Sequence, residues 1–143
     1  MELTTAHQQN LQTAKDFMAT LAEGNMEKLM DYWAEDGVLE FPFHPPGAYD
    51  RVAGKSNISE YFSGTEGKKK PLAFPIKGSY PMLDPKLVLI EFQGQLQNLV
   101  TGEKYTNEYV VLFGFNETGK VTLFREYFDS LKRQKYETFD EDR

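Results

Sequence analysis

Gly119-Lys120-Val121-Thr122-Leu123-Phe124-Arg125-Glu126-Tyr127-Phe128-Asp129 is the stretch on which the fold turns. Its β-branched and aromatic residues follow the reversal Asn116-Glu117-Thr118-Gly119 and predict a strand over 120–129. Working back from it, the same period of two runs through 103–115, 86–98 and 72–80. Thr101-Gly102 and Leu83-Asp84-Pro85 supply the Gly, Asp and Pro that the intervening turns need. The second half of the chain therefore reads as a run of antiparallel strands.

Further upstream the period changes to that of a helix. Leu11, Ala14, Phe17 or Met18, and Leu21 form one apolar stripe, and Thr5 with Gln8 suits a capping box at its start. Gly24-Asn25 ends this helix and caps a short second one carrying Met26, Leu29, Met30 and Trp33, with Ala34-Glu35-Asp36-Gly37 as the closing turn. Val38 to Phe43 reads as a first strand stopped by Pro45-Pro46-Gly47. A third helix is expected over Ser56 to Ser63, capped by Ser56 or Asn57 and carrying Ile58, Tyr61 and Phe62. Helices first and strands afterwards predict an α+β domain whose helices cover one face of a curved sheet, closing over a cavity.

Composition narrows the functional classes. A chain of 143 residues is one domain and can bury roughly 68–70 % of its unfolded surface, enough for a core with a pocket in it. With 16 Lys+Arg against 22 Asp+Glu the net charge is −6, so the average field repels phosphate backbones and no nucleic-acid partner is expected. The one basic run, Lys68-Lys69-Lys70 beside Gly67 and Pro71, reads as a solvated loop. The absence of cysteine removes disulfides, thiol nucleophiles and thiolate metal sites and suits a reducing, cytoplasmic setting. Met1-Glu2-Leu3-Thr4-Thr5 has neither a basic start nor an apolar core, and no segment is apolar enough to span a bilayer, so no membrane partner is expected. Two distant histidines, His7 and His44, make a dedicated metal site improbable, and no cofactor-binding motif is present.

The order of elements resembles the nuclear transport factor 2-like fold. Three stretches carry the likeness: Ala34-Glu35-Asp36-Gly37-Val38-Leu39-Glu40-Phe41-Pro42, Gly54-Lys55, and Gly119 to Asp129. Over residues 8–132 the pattern is similar to SnoaL-like and ketosteroid-isomerase-like proteins, and in texture to SnoaL-like polyketide cyclases and phenazine-biosynthesis relatives. The resemblance implies a cone-shaped curved antiparallel sheet covered by N-terminal helices, a cystatin-like α+β barrel, and cofactor-independent chemistry on a small molecule. Its last strand also looks like that of limonene epoxide hydrolase, whose acid corresponds to Glu126. Phe92 and Gly94 stand where those hydrolases carry Arg and Asp, and Phe41 stands before Pro42 where ketosteroid isomerases carry their base. Neither of those catalytic sets is complete here.

The resemblance turns Glu126 inward, and alternation then places Thr122, Phe124 and Phe128 on its face and Val121, Leu123, Arg125 and Tyr127 on the outer one. Between aromatic walls a carboxyl is desolvated and suited to moving protons near neutral pH; the alternative is a carboxylate paired with Arg or Lys. Glu91 interrupts Leu87-Val88-Leu89-Ile90 and shares a face with Gln93 and Gln95, either inside as a second acid–base group or outside in an ion pair. His44, in Phe43-His44-Pro45, is the other acid–base candidate, or a solvated loop residue, whereas His7 in the first helical turn is expected to be exposed. Asn107 and Tyr105 either polarise a ligand carbonyl or satisfy the backbone. Tyr32, Trp33, Phe41, Phe43, Phe124 and Phe128 are candidate ligand walls, with plain core as the alternative for the helical aromatics.

The function expected is acid–base catalysis on a small hydrophobic molecule: cyclisation, isomerisation, dehydration or hydration. The alternative is a non-catalytic protein binding a small hydrophobic ligand or serving as a dimeric interaction module. A homodimer through the outer sheet face is expected from the fold and from the outward Val121, Leu123 and Tyr127. The charged tail 133–143 reads as frayed, with Tyr136 and Phe139 able to fold over a partner subunit.

Overall fold

The structure, a computed structural model, describes residues 2–65 and 67–134. Helix α1 (Thr5–Glu23) and the single turn α2 (Met26–Met30) precede strands β1 (Trp33–Glu40) and β2 (Arg51–Ala53). Helix α3 (Lys55–Thr65) leads to β3 (Lys69–Ala73), β4 (Ile76–Pro81), β5 (Leu87–Asn98), β6 (Lys104–Phe115) and β7 (Val121–Phe128), and α4 (Ser130–Gln134) follows. The strands form one curved, unclosed sheet in the order β2-β1-β7-β6-β5-β3, with β4 sharing the β5 edge. Strands β5, β6 and β7 are antiparallel neighbours, whereas β1 lies parallel to β7.

Several boundaries differ from the sequence reading for identifiable reasons. Residues 34–37 do not close the helical hairpin; they belong to β1, whose register against β7 jumps between Trp33↔Val121 and Val38↔Leu123. Glu35 and Asp36 bulge outward, and Gly37 passes so near the Trp33 ring that a Cβ would lie 2.6 Å from it. The expected single strand over 72–80 is broken at Pro75, which has no N–H for the ladder; β3 pairs the second half of β5 and β4 the first. Lys69 and Lys70 accordingly open a strand and are not part of a loop.

Thr4, not Thr5, caps α1, and His7 completes the box: Thr4 Oγ1 accepts from the His7 amide, and His7 Nδ1 accepts from the Thr4 amide at 3.1 Å. The same imidazole donates through Nε2 to the Met82 carbonyl at 3.0 Å. His7 is thus 5 % exposed, contrary to the expectation of an exposed residue, because its partner lies in the turn between β4 and β5, remote in sequence. Asn10 reaches the Pro85 carbonyl in the same turn. These bonds set α1 across the inner face of the sheet, where Phe17 meets Tyr32, Trp33, Phe113 and Phe124 at ring separations of 5.2–5.8 Å. Burying such aromatics, each worth about 1.5–3 kcal/mol, is what fixes the helix on the sheet.

Strand β7 contains one further departure. The pairing Gly114↔Leu123 is followed by Phe115↔Val121, so one extra residue on β7 reverses the alternation at its start. Val121, expected on the outer face, is fully buried in the core. From Leu123 onward the expected parity holds, with Arg125 and Tyr127 on the outer face: Arg125 Nε donates to Glu40 at 2.8 Å and Tyr127 packs edge-on against Phe43.

Candidate functional site

The inner faces of β5, β6 and β7 and the ends of α1 and α3 enclose a cavity of about 480 Å³. Phe124, Glu126 and Phe128 of β7 line it, as do Tyr105 and Tyr109 of β6 and Phe92 of β5. His44 and Phe41 border it from the segment that follows β1, and Tyr61 and Phe62 from α3. Of the candidates read from sequence, Glu126, His44, Tyr105, Phe41, Phe124 and Phe128 are therefore brought together around one space. The half-buried His44 imidazole also contacts the Pro45 carbonyl at 3.2 Å.

The other candidates lie elsewhere. Glu91 is on the outer face of β5, where it accepts from the Tyr80 hydroxyl at 2.8 Å. Phe43 is 56 % exposed on the outer side against Tyr127. Trp33 is buried in the core beneath Phe17, and Tyr32 is bonded through its hydroxyl to Thr20 at the edge of that cluster. Asn107 is fully buried but its amide serves internal partners: Nδ2 donates to the Tyr105 oxygen and to the Asp129 carbonyl, and Oδ1 accepts from the Glu108 and Asp129 amides. It holds the cavity wall together from behind.

Of the lining residues that were not among the candidates, two bear on the chemistry of the cavity. Tyr109 stacks on Phe92 with ring centroids 4.9 Å apart, and its ring occupies the volume that a side chain at Gly94 would need: a Cβ there would lie 2.4 Å from the ring. The Tyr109 ring thus leaves room at position 94 for glycine alone. The second is Arg133. It stands at the first position of the stretch 133–143 that reads as a charged tail, yet Asp129 Oδ1 accepts from the Leu131 and Lys132 amides and starts α4. That turn carries Arg133 back into the cavity wall, where it is only 7 % exposed. Residues 135–143, with Tyr136 and Phe139, lie outside the described residues.

The phenols form a chain. The Tyr109 and Tyr105 hydroxyls are hydrogen-bonded to each other, and the Tyr105 oxygen also accepts from Asn107. Burial pushes the Tyr109 phenol well above its usual value, and the nearby Glu126 carboxylate pushes it further in the same direction. Burial likewise raises Tyr105, against the lowering effect of the bonds it accepts from Asn107 and Tyr109 and of the Arg133 charge. Both phenols are neutral hydrogen-bond donors at physiological pH, set beside one carboxylate and one guanidinium in a largely aromatic space.

This arrangement sits on a fold and sequence already represented among known proteins. Residues 14–124 match the SnoaL-like domain model, and the chain belongs to that family. It is similar to the uncharacterized protein YesE of Bacillus subtilis, 28 % identical over 120 residues that span 84 % of this chain and 81 % of the relative. A solved Bacillus subtilis protein described as a candidate isomerase superposes with a TM-score of 0.83 at 26 % identity, over 92 % of this chain and 94 % of that one. A phenazine biosynthesis-related protein of Pseudomonas aeruginosa shares the fold at a TM-score of 0.75 and 16 % identity, over 97 % and 88 % of the two chains. Among the described residues, no helix is long and apolar enough to cross a membrane.

Proposed function

We propose that the protein is a cofactor-independent acid–base enzyme acting on a small cyclic organic molecule, by isomerisation, cyclisation or a related addition or elimination of water. The observation that carries the reading is Glu126, on the inward face of β7 between Phe124 and Phe128, in one cavity with the phenols of buried Tyr105 and half-buried Tyr109. In this reading Glu126 removes a proton from carbon next to a carbonyl, and a phenol donates to the oxygen on which negative charge develops. His44, at the cavity border, returns or removes the second proton. Its family and its likeness to a candidate isomerase support the same class of reaction. The setting proposed is the cytoplasm, as suits a chain without cysteine.

Deuterium exchange at the α-carbon of 2-tetralone, followed by proton NMR in D₂O, tests the chemistry without requiring the natural substrate. The protein is expected to accelerate exchange, and Glu126→Gln to reduce that acceleration by about 10²-fold or more. Undiminished exchange in a folded Glu126→Gln protein would sink the assignment. A binding protein without catalysis would take up the ketone and leave its protons in place.

For assembly, we propose a homodimer through the outer sheet face. Phe43 and Tyr127 meet there at 5.4 Å beside Val110, an apolar patch bordered by Glu91 and by the Lys77–Glu108 ion pair.

A further inference from the structure

Nothing in the backbone calls for glycine at position 94. Its φ lies outside the left-handed region that the turn glycines of the chain adopt, and the register of β5 against β6 runs unbroken from Leu87 to Gln97. Glycine inside a regular strand gives up side-chain packing and costs chain entropy, so such a position is explained by something that comes close to it. What comes close is the Tyr109 ring, whose Cε2 would lie 2.4 Å and Cδ2 3.0 Å from a Cβ at position 94.

Tyr109 pairs with Phe92 in the ladder, yet its ring extends over Gly94, two residues along β5. It lies parallel to the Phe92 ring within 7° at 4.9 Å, and Phe128 of β7 stands 5.9 Å away. With these rings beside it and the Gly94 backbone beneath, a methyl group at 94 would lift the Tyr109 ring off the sheet and into the cavity. Lying flat, the ring makes part of the cavity floor and brings its hydroxyl to Tyr105, on the same face of β6. Tyr105 is tied in turn to Asn107, whose amide is fixed by the Asp129 corner. The phenol pair is thus anchored at the Asn107 end and aligned by Gly94 at the other, close enough to Glu126 that the carboxylate charge acts on both hydroxyls.

We propose that Gly94 is a positioning residue for the reaction: the empty face it leaves on β5 lets the Tyr109 ring lie flat and aligned on Tyr105, so that the phenol pair meets a ligand oxygen while Glu126 faces the neighbouring carbon. The proposal rests on the acid–base reading of the cavity, and its test is read by binding as well as by rate, so the two can fail separately. The binding probe is 2-naphthol, whose hydroxyl oxygen has the place of the enolate oxygen of 2-tetralone. Gly94→Ala is expected to weaken naphthol binding in titration calorimetry about tenfold and to slow tetralone exchange by at least as much. Tyr109→Val should lose as much, and adding Gly94→Ala to Tyr109→Val should lose nothing more, because no ring remains to be displaced. Losses that multiply in the double variant would overturn the proposal, as would undiminished naphthol affinity in folded Gly94→Ala or no naphthol binding by the unaltered protein. If Gly94→Ala alone fails to fold, the double variant carries the test of geometry. With the ring gone, alanine should raise the urea midpoint above that of Tyr109→Val, and a lower midpoint would sink the assignment. Tyr109→Phe keeps the ring without its hydroxyl and should also weaken naphthol binding about tenfold; unchanged binding would show that the aligned phenol serves no ligand. Exchange undiminished in Glu126→Gln, beside a tenfold loss of naphthol affinity in Gly94→Ala, would remove Glu126 from the chemistry and leave Gly94 in its role.

Discussion

At the scale of single residues, Tyr109 links geometry to a measurable titration. Its phenol is neutral in the folded protein well past the pH at which an unfolded tyrosine ionises, because burial and the Glu126 charge both oppose the phenolate. Below about pH 10 folded and unfolded chains both hold this proton, and it has no effect on stability. Above that value the unfolded chain releases the proton first, so stability falls as pH rises toward the elevated folded value. Tyr109→Phe should therefore flatten the alkaline loss of stability, measured as the urea midpoint on either side of pH 10. Equal slopes for the two proteins would show that Tyr109 titrates as an ordinary exposed tyrosine. The same ring explains Gly94, since the two positions compete for one volume. That pair was not legible in the sequence: alternation puts Tyr109 on the right face but cannot say which strand's side chain fills the space between β5 and β6.

At the scale of elements, the corner between β7 and α4 depends on Asn107. Replacing it with Leu leaves the Asp129 carbonyl and amide and the Glu108 amide without that partner, at about 1–3 kcal/mol for each group that water cannot reach. Urea denaturation should register the loss, and hydrogen exchange at the Arg133 amide should quicken as α4 loosens. A variant with full stability and unchanged exchange would show the corner to be held by other contacts. This corner marks where sequence reading stopped. Periodicity located β5, β6 and β7 within a residue of their ends and set Phe124, Glu126 and Phe128 on one face, because a strand buried on one side must alternate. It failed where single insertions reset the count, at Val121 and over 34–37, since a bulge leaves no compositional trace of which residue is extra. Arg133 could have been found from Asp129-Ser130, an N-cap signature directly after a strand. Asn107 and His7 could not, because what decides their roles is a partner far along the chain.

At the scale of the whole molecule, the two faces of one sheet differ. The inner face holds the cavity, and the outer face presents Phe43 and Tyr127. If copies pair through that outer face, sedimentation should give twice the 16.5 kDa chain mass, and Phe43→Glu should return the protein to a single chain with the cavity intact. A protein that already sediments as one chain would rule the pairing out. The parallel contact between β1 and β7 has a different consequence, in time. Residues 33–40 must wait for residues 121–128 before they gain a neighbour on that side, so the sheet cannot be completed until β7 has left the ribosome. The single tryptophan, Trp33, stands at this seam, between Phe17 of the first helix and Phe124 of the last strand. Its fluorescence is a natural clock for the closing of the two ends.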